Sequence, residues 1–377
     1  MKHRPDDGSQ GLVHLTTVHQ AWDNRIFNKE CRALAEAGLA PVLVTGTEHD
    51  EVRGGVRVVA IKRRSRLERL VTSQLEAWRV LNALRPAVLQ VHDPELVPLA
   101  LLWKRTHGAK AVYDAHEDLV RQIDTKPYLN GFGKMAARLY ARALVRLADR
   151  GMDGIIAATQ TVAEGYRNPR RVVVRNVPWL ADFVQRPEPV RARAVYTGDL
   201  TNERGLPRMV QVMQQLREQG MDEAELVLAG RPLRECVHVV AELPADGPVR
   251  HVGLLAPDEV PALIATAQVG LIFLERLPNY AESLPTKVFE YMAAGVPFLA
   301  TDFPAWRELF GGFDAGVFVD TDDADATAAA LAAMLADPQG CARMGANGRR
   351  AIEEHFTFEA EAPVLVNFTQ ELLQEAP

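Results

Sequence analysis

Short apolar runs alternate with amphipathic stretches along nearly the whole chain. LVHLTT (12–17), APVLVTG (40–46) and GGVRVVAI (54–61) read as strands. Between the first two, FNKECRALAEAG (27–38) repeats its apolar residues at helical spacing and stops at Gly38, a residue suited to the left-handed position after a helix. LERLVTSQLEAWRVLNALR (67–85) predicts a helix ended by Pro86. AVLQVHD (87–93), a helix over 95–106, KAVYDAHE (110–117), a long helix over 134–149 and GIIAAT (154–159) continue the pattern. Strands separated by helical crossovers imply a parallel, doubly wound sheet.

The stretch between VVVRN (172–176) and AVYTG (194–198) is rich in proline and charge and marks a change of domain. The alternation then restarts. A helix over 206–219 leads to AELVLAG (224–230), a helix near 233–242 to VRHVG (249–253), and a helix over 257–267 to VGLIFL (269–274). A helix over 285–294, PFLAT (297–301) and a helix containing 324–336 follow. The expected organisation is α/β: a first doubly wound domain over 1–185, a second over 186–355, and a C-terminal helix over 356–377 packing back on the first.

Composition agrees with two cores. The 377 residues are 47% apolar and 24% charged, a soluble globular balance too long for one ordinary domain. The opening MKHRPDDGSQ has no apolar run of a secretory signal, and no stretch approaches the ~18 apolar residues of a membrane span. Cys31, Cys236 and Cys341 stand far apart without a CxxC, so neither a disulfide framework nor a zinc site is expected, and a reducing cytoplasm is.

The net charge of −6 hides a division: residues 1–190 carry 29 basic against 21 acidic side chains, or +8, and the remainder carries −14. Much of the basic charge lies in two stretches. One holds Lys62, Arg63, Arg64, Arg66 and Arg69; the other holds Lys134, Arg138, Arg142, Arg146 and Arg150 at four-residue intervals, interleaved with Met135, Leu139, Leu144 and Leu147. An anionic bilayer surface and a merely solvated outer face both account for this pattern. Nucleic acid is not expected, because no aromatic interleaving or binding motif accompanies the charge.

In open parallel sheets ligands bind beyond the carboxyl ends of the strands, so residues just after strands carry the chemistry. The strongest segment is ESLPTKVFEYMAAGVPFLATDF (282–303). Pro285 suits a first helical turn, and Gly295 with Pro297 ends the helix. The amides of Leu284, Thr286 and Lys287 then form a phosphate-binding helix start; Ser283 and Thr286 add hydroxyls, Lys287 a full charge. Glu290 is placed to accept from a ribose diol, with Glu282 in the preceding loop. A helix capped by Ser283 with two solvated acids accounts for the same residues. In YTGDLTNERGL (196–206), Gly198 allows close backbone approach and Arg204 could hold a diphosphate, or could be an exposed arginine in a turn.

The first half offers His92 in VHDPEL and His116 in VYDAHEDL, each just after a strand and able to donate to sugar hydroxyls. A metal set from His92, Asp93, His116, Glu117 and Asp118 lacks helix-spaced ligands such as HExxH, and no metal is expected. In VHQAWDNRIFNKE (18–30), Asp23, Asn24 and Arg25 occupy the place where a dinucleotide-binding fold has GxGxxG, which argues against a nicotinamide enzyme. A polar loop capped by Asn24 or Asn28 is the plainer reading.

Together these segments, with VVVRNVP and LVLAG, resemble the family-4 (group 1) retaining glycosyltransferases. Glu282 and Glu290 match the family's Glu-x7-Glu signature, followed by Ala-x-Gly-x-Pro. The resemblance implies a GT-B fold, two Rossmann-like doubly wound domains facing a central cleft. It also implies transfer from a nucleoside-diphosphate sugar to an acceptor in polysaccharide, glycolipid or other glycoconjugate synthesis, with no cofactor and no metal. By the same token Glu290 would hold the ribose, and the amides after Glu282, with Arg204 and Lys287, the diphosphate. Glu282 and His116 would meet the transferred sugar, Asn176 would line the cleft, and Asp23, Asn24 and Arg25 would face an acceptor, lipid-linked in one version. The expected location is cytoplasmic, peripheral on the inner membrane face. Asp199 departs from the Arg that many relatives carry there, and the first loop lacks their glycine pair. A sugar-nucleotide epimerase on this fold and a catalytically silent binding subunit are the alternatives.

Overall fold

The computed structural model describes residues 11–65, 68–117, 119–124, 131–183, 188–281 and 284–376. Two compact units emerge: one comprises Met1–Asn176 with Glu359–Pro377, the other Val177–Phe358. The divisions therefore fall at 176/177 and 358/359, not at the expected 185/186 and 355/356.

The first unit holds an eight-stranded sheet in the order β3-β4-β2-β1-β5-β6-β7-β8. Its strands are β1 (Leu12–Leu15), β2 (Val42–Gly46), β3 (Glu51–Arg53), β4 (Val56–Ile61), β5 (Val88–Val91), β6 (Lys110–Ala115), β7 (Gly154–Ala157) and β8 (Arg171–Val173). All pairings are parallel except β3 with β4. β1, β5 and β7 are buried along their whole length, as expected of strands with helices on both faces. Val13, Leu89, Trp103, Tyr113 and Ile155 lie in this core.

The second unit holds six parallel strands in the order β11-β10-β9-β12-β13-β14: β9 (Arg193–Thr197), β10 (Glu225–Ala229), β11 (Val249–His251), β12 (Val269–Ile272), β13 (Phe298–Thr301) and β14 (Gly316–Val319). The strand order reverses between β9 and β12, and in the first unit between β1 and β5. Such switch points open a crevice at the strands' carboxyl ends.

Several elements escaped the sequence reading. β3 is a three-residue, largely exposed edge strand, too short to show alternation. Helix Pro338–His355 carries three glycines that lower helix propensity, yet Gly340, Gly345 and Gly348 are buried within it, capped by Asp337 accepting from the Gly340 N–H at 2.8 Å. The C-terminal helix, which the sequence did announce, runs over Phe358–Gln374; it packs its Phe368 ring over Gly154 of β7, and Glu361 accepts from Arg175 Nε at 2.7 Å. No helix of the described residues is long and apolar enough to cross a membrane.

Candidate functional site

Two clusters lie at the two switch points, one per unit. In the second unit, β9 ends at Thr197 and the chain turns at Gly198, whose φ of +128° is a conformation L side chains rarely adopt. A Cβ there would lie 2.8 Å from Lys287 Nζ and 3.5 Å from Arg204 Nη1, so both cations converge on this turn. Gly205, φ +81°, starts helix Leu206–Glu218 where any Cβ would overlap the Phe273 carbonyl just beyond β12. The two glycines thus bring the chain between β9 and the helix tight against the sheet edge and aim Arg204 back toward Gly198.

Lys287 comes from helix Thr286–Ala293, with Pro285 one residue outside it as N-cap and not in the first turn. No side chain caps this start, and its first amides lack intrahelical acceptors. Burial and the neighbouring Arg204 pull the Lys287 ammonium below its ordinary range, against the opposing pull of Glu290 and Asp199. The ammonium stands 5.7 Å from the Tyr196 ring centroid. Burial pushes the Tyr196 phenol up to about 12, so it stays a donor and gives its proton to the Asp199 carbonyl at 3.2 Å. The Asp199 carboxylate is 3.6 Å from Arg231 Nη2, which supplies a partner for the residue that departs from the family pattern. Leu284, Thr286 and Glu290 are partly exposed around this helix. Glu282 and Ser283 lie outside the described residues.

In the first unit the chemistry is buried. Arg25, expected on the acceptor side, is 4% exposed and forks onto Asp114 with Nε–Oδ2 at 3.1 Å and Nη2–Oδ1 at 2.7 Å. Its Nη1 donates to the Val174 carbonyl at 2.8 Å, and Glu30 Oε1 lies 3.1 Å from its Nε. Burial opposes the Asp114 charge, yet Arg25 and His116 hold that carboxyl well below its usual range. Burial and Asp114 push Glu30 well above the carboxylate range, so Glu30 keeps a proton while Asp114 does not.

Asp114 Oδ2 receives both His116 Nε2 at 2.6 Å and His92 Nδ1 at 2.9 Å. An ionised carboxylate accepts only, so both ring nitrogens carry the proton. His92 Nε2 is then an acceptor and takes the proton of His14 Nδ1 at 3.0 Å. Burial holds both His14 and His92 below the usual imidazole range, which keeps them neutral. Of these rings only His116, 20% exposed at its side chain, reaches the surface; its orientation is set from behind by Asp114.

Asp93 closes the β1/β5 switch by accepting from the Thr17 N–H at 2.5 Å and the Thr16 hydroxyl at 3.1 Å. Asp23 accepts from the N–H groups of Arg25 and Ile26 at 2.9 and 3.0 Å and pairs with His19 at 3.0 Å, so it caps the helical stretch that follows, a role expected of Asn24 or Asn28. Asn24 is exposed. Asn176 accepts from Lys29 Nζ at 2.5 Å.

Among the described residues two groups are metal-compatible, His14–Glu30–His92 and His92–Asp114–His116. In the second group both rings already donate to Asp114, on which the Arg25 guanidinium sits, a charge that opposes a second cation; in the first, His14 pairs with His92, while Glu30 accepts from Gln90 Nε2 at 2.7 Å and faces Arg25 at 3.1 Å. Asp118, part of the set considered from sequence, lies outside the described residues. His14, Glu30, Gln90 and Asp114 were not singled out from sequence. Their signal was present: a histidine inside LVHL and an aspartate inside VYDA are polar groups in fully buried strands, where each must find a partner.

Comparison with known proteins accords with both units. Residues 182–351 match the model of "Glycosyl transferases group 1", and residues 24–181 match the "Glycosyl transferase 4-like domain". The chain is 27% identical over 309 residues to an MMP alpha-(1->4)-mannosyltransferase of Mycolicibacterium hassiacum, covering 77% of this chain and 72% of that protein. A shorter match, 32% over 99 residues, links it to the lipopolysaccharide core biosynthesis mannosyltransferase LpsB of Rhizobium meliloti, covering 26% and 28%. Among solved structures, sucrose-phosphate synthase from Thermosynechococcus elongatus superposes with a TM-score of 0.72 at 16% identity, over 97% of this chain and 100% of that one. Anabaena HepE in complex with UDP-glucose superposes with a TM-score of 0.71 at 12% identity, over 96% and 99%. At such identities the likeness speaks for the fold, which is the expected GT-B type.

Proposed function

The chain belongs to the group 1 glycosyl transferases, and we propose that it moves a sugar, with retention of anomeric configuration, from a nucleoside-diphosphate donor to an acceptor in glycoconjugate synthesis. The observation that carries this reading is the convergence of Lys287 Nζ and Arg204 Nη1 on Gly198 at the β9/β12 switch. Two adjacent cations and the start of a helix suit a diphosphate, whose charge grows as the sugar departs. Preorganised charge of this kind is commonly the largest catalytic contribution.

In this reading Lys287, Arg204 and the amides around Thr286 hold the diphosphate, and Glu290 the ribose. Glu282 is assigned to the transferred sugar from the Glu-x7-Glu spacing alone. His116, its ring fixed by Asp114, is assigned to a sugar hydroxyl. No enzyme nucleophile is invoked; the acceptor enters on the face the diphosphate leaves, through an oxocarbenium-like state. The acceptor is a saccharide or a lipid-linked saccharide, and the enzyme works peripherally at the cytoplasmic membrane face.

A thermal-shift screen against UDP, GDP and their sugars tests the donor assignment, since a ligand of the native state raises its melting temperature. The expected result is a shift with one base, lost in Lys287→Ala, and slow donor hydrolysis in product analysis. An epimerised donor formed without acceptor would make the protein an epimerase. Absence of any nucleotide-dependent shift would make it a silent subunit.

A further inference from the structure

The first unit carries a surface that its own core does not use. Helix Gly131–Gly151 buries Ala141, Leu144 and Ala148, one stripe at i, i+3 and i+7, which meets the needs of packing. Its outer side nonetheless presents Met135, Leu139 and Tyr140, which are 53%, 60% and 54% exposed. Arg142, Arg146 and Arg150 are exposed on the same helix and, with Met135 and Leu139, run along one outer face at i, i+4, i+7, i+11 and i+15.

A second helical stretch, Arg69–Ser73 continuing into Gln74–Leu84, shows the same mixture. Leu70, Val71 and Leu75 are 48%, 63% and 55% exposed, preceded by the exposed Lys62 and Arg63. Residues of both helices interact with Glu95. Glu95 lies 3.7 Å from Arg69 Nε, its carbonyl accepts from Gln74 Nε2 at 2.7 Å, and its carboxylate raises the Tyr140 phenol after burial.

We propose that this two-helix face, apolar tips interleaved with cations, docks the protein on an anionic lipid bilayer. Large exposed apolar side chains in a cluster mark a contact surface, and alternation with arginines fits an interface where hydrocarbon lies just beneath negative headgroups. Charge selects this occupant over a second copy of the chain. One helix exposes Arg142, Arg146 and Arg150 and the other is preceded by the exposed Lys62 and Arg63, so two such faces repel each other. Nucleic acid would use the arginines and leave Leu139, Val71 and Leu75 unexplained. The inference rests on the proposed reading only in that a lipid-linked acceptor would be met at this surface; the donor site lies in the other unit.

Flotation of the full chain tests it, using vesicles of phosphatidylcholine with or without phosphatidylglycerol at low and high salt. Wild type is expected to float with the anionic vesicles at low salt only. Arg142→Glu with Arg146→Glu, and separately Met135→Ser with Leu139→Ser, should each float about tenfold less. Equal flotation of wild type and both variants would overturn the proposal, as would equal binding to neutral vesicles or none to anionic ones. Concentration-dependent self-association abolished by the serine variant would instead make the face a contact between copies, and also overturns it. The nucleotide-dependent melting shift, measured on every variant, belongs to the other unit, so its loss or retention reports on the donor reading separately.

Discussion

The two switch points solve opposite electrostatic problems. At β1/β5 the charges neutralise one another inside the protein: Arg25 is forked onto Asp114, Glu30 is kept protonated, and His14 and His92 are kept neutral. At β9/β12 two like charges are held together against their repulsion, and burial first, then the neighbouring Arg204, depresses the Lys287 ammonium. The first arrangement is complete in itself and orients one surface group, His116. The second becomes more favourable when an anion arrives. Buried and mutually satisfied charge therefore suits positioning, and like charge held together suits the binding proposed for it.

The largest effect expected from this contrast comes from Arg25→Ala. Removing one partner of a buried network leaves the ionised Asp114 without its cation, which costs about 3–5 kcal/mol. Urea denaturation should show that loss in full. Lys287→Ala should do the reverse, leaving stability unchanged or slightly raised while transfer falls by about 10²–10³-fold. If Arg25→Ala were silent in denaturation, or Lys287→Ala equally destabilising, the contrast between the units would collapse.

The same contrast explains what could be read in the chain. The second cluster was legible because each of its two segments is local, Thr286, Lys287 and Glu290 on one short helix and Gly198 and Arg204 in one turn, and the family resemblance joined the two. The first was not, because His14, His92 and Asp114 lie 78 and 22 residues apart and meet only across β1, β5 and β6. Arg25 was expected to face an acceptor for that reason; nothing near it in sequence reveals Asp114, 89 residues away. The alternation of strands and helices was legible throughout the centre of both sheets. It failed at β3, where the strand is short and exposed, and at 338–355, where glycines chosen for close packing disguise a helix. The interleaved cations and apolar residues of 131–151 were visible, but that Glu95 ties them to a second such helix was not.

Gly198→Ala sharpens the second unit's side. A side chain at φ +128° is strained by about 1–3 kcal/mol, and its Cβ would crowd Lys287 Nζ at 2.8 Å. The flexible lysine end can swing away, so the expected result is a modest drop in melting temperature with nucleotide affinity about tenfold weaker. Calorimetry with the base identified by screening would measure it; unchanged affinity would mean that the ammonium need not sit at this turn.

The smallest effect concerns protons at β1/β5. His14 and His92 have folded pKa values below their ordinary value of about 6.5, so the unfolded chain takes up protons first as the pH falls. Their contribution to stability is thus complete above about pH 6.5 and is lost on acidification through the lowered values. Two neighbours work the other way. His19, raised by Asp23 despite burial, and Glu30, raised by burial and Asp114, contribute stability at lower pH that fades as the pH rises through their folded values. The wild-type profile is the balance of these and does not isolate any one ring. His14→Gln does: an amide can still donate toward His92 Nε2, but it has no proton to gain. Between roughly pH 5 and 6.5 the stability of wild type should rise with pH more steeply than that of the variant, by up to about 1.4 kcal/mol per pH unit, the slope of one proton. Parallel denaturation profiles in that window would mean that His14 titrates alike in the folded and unfolded chain, and the buried network could then not be holding it neutral.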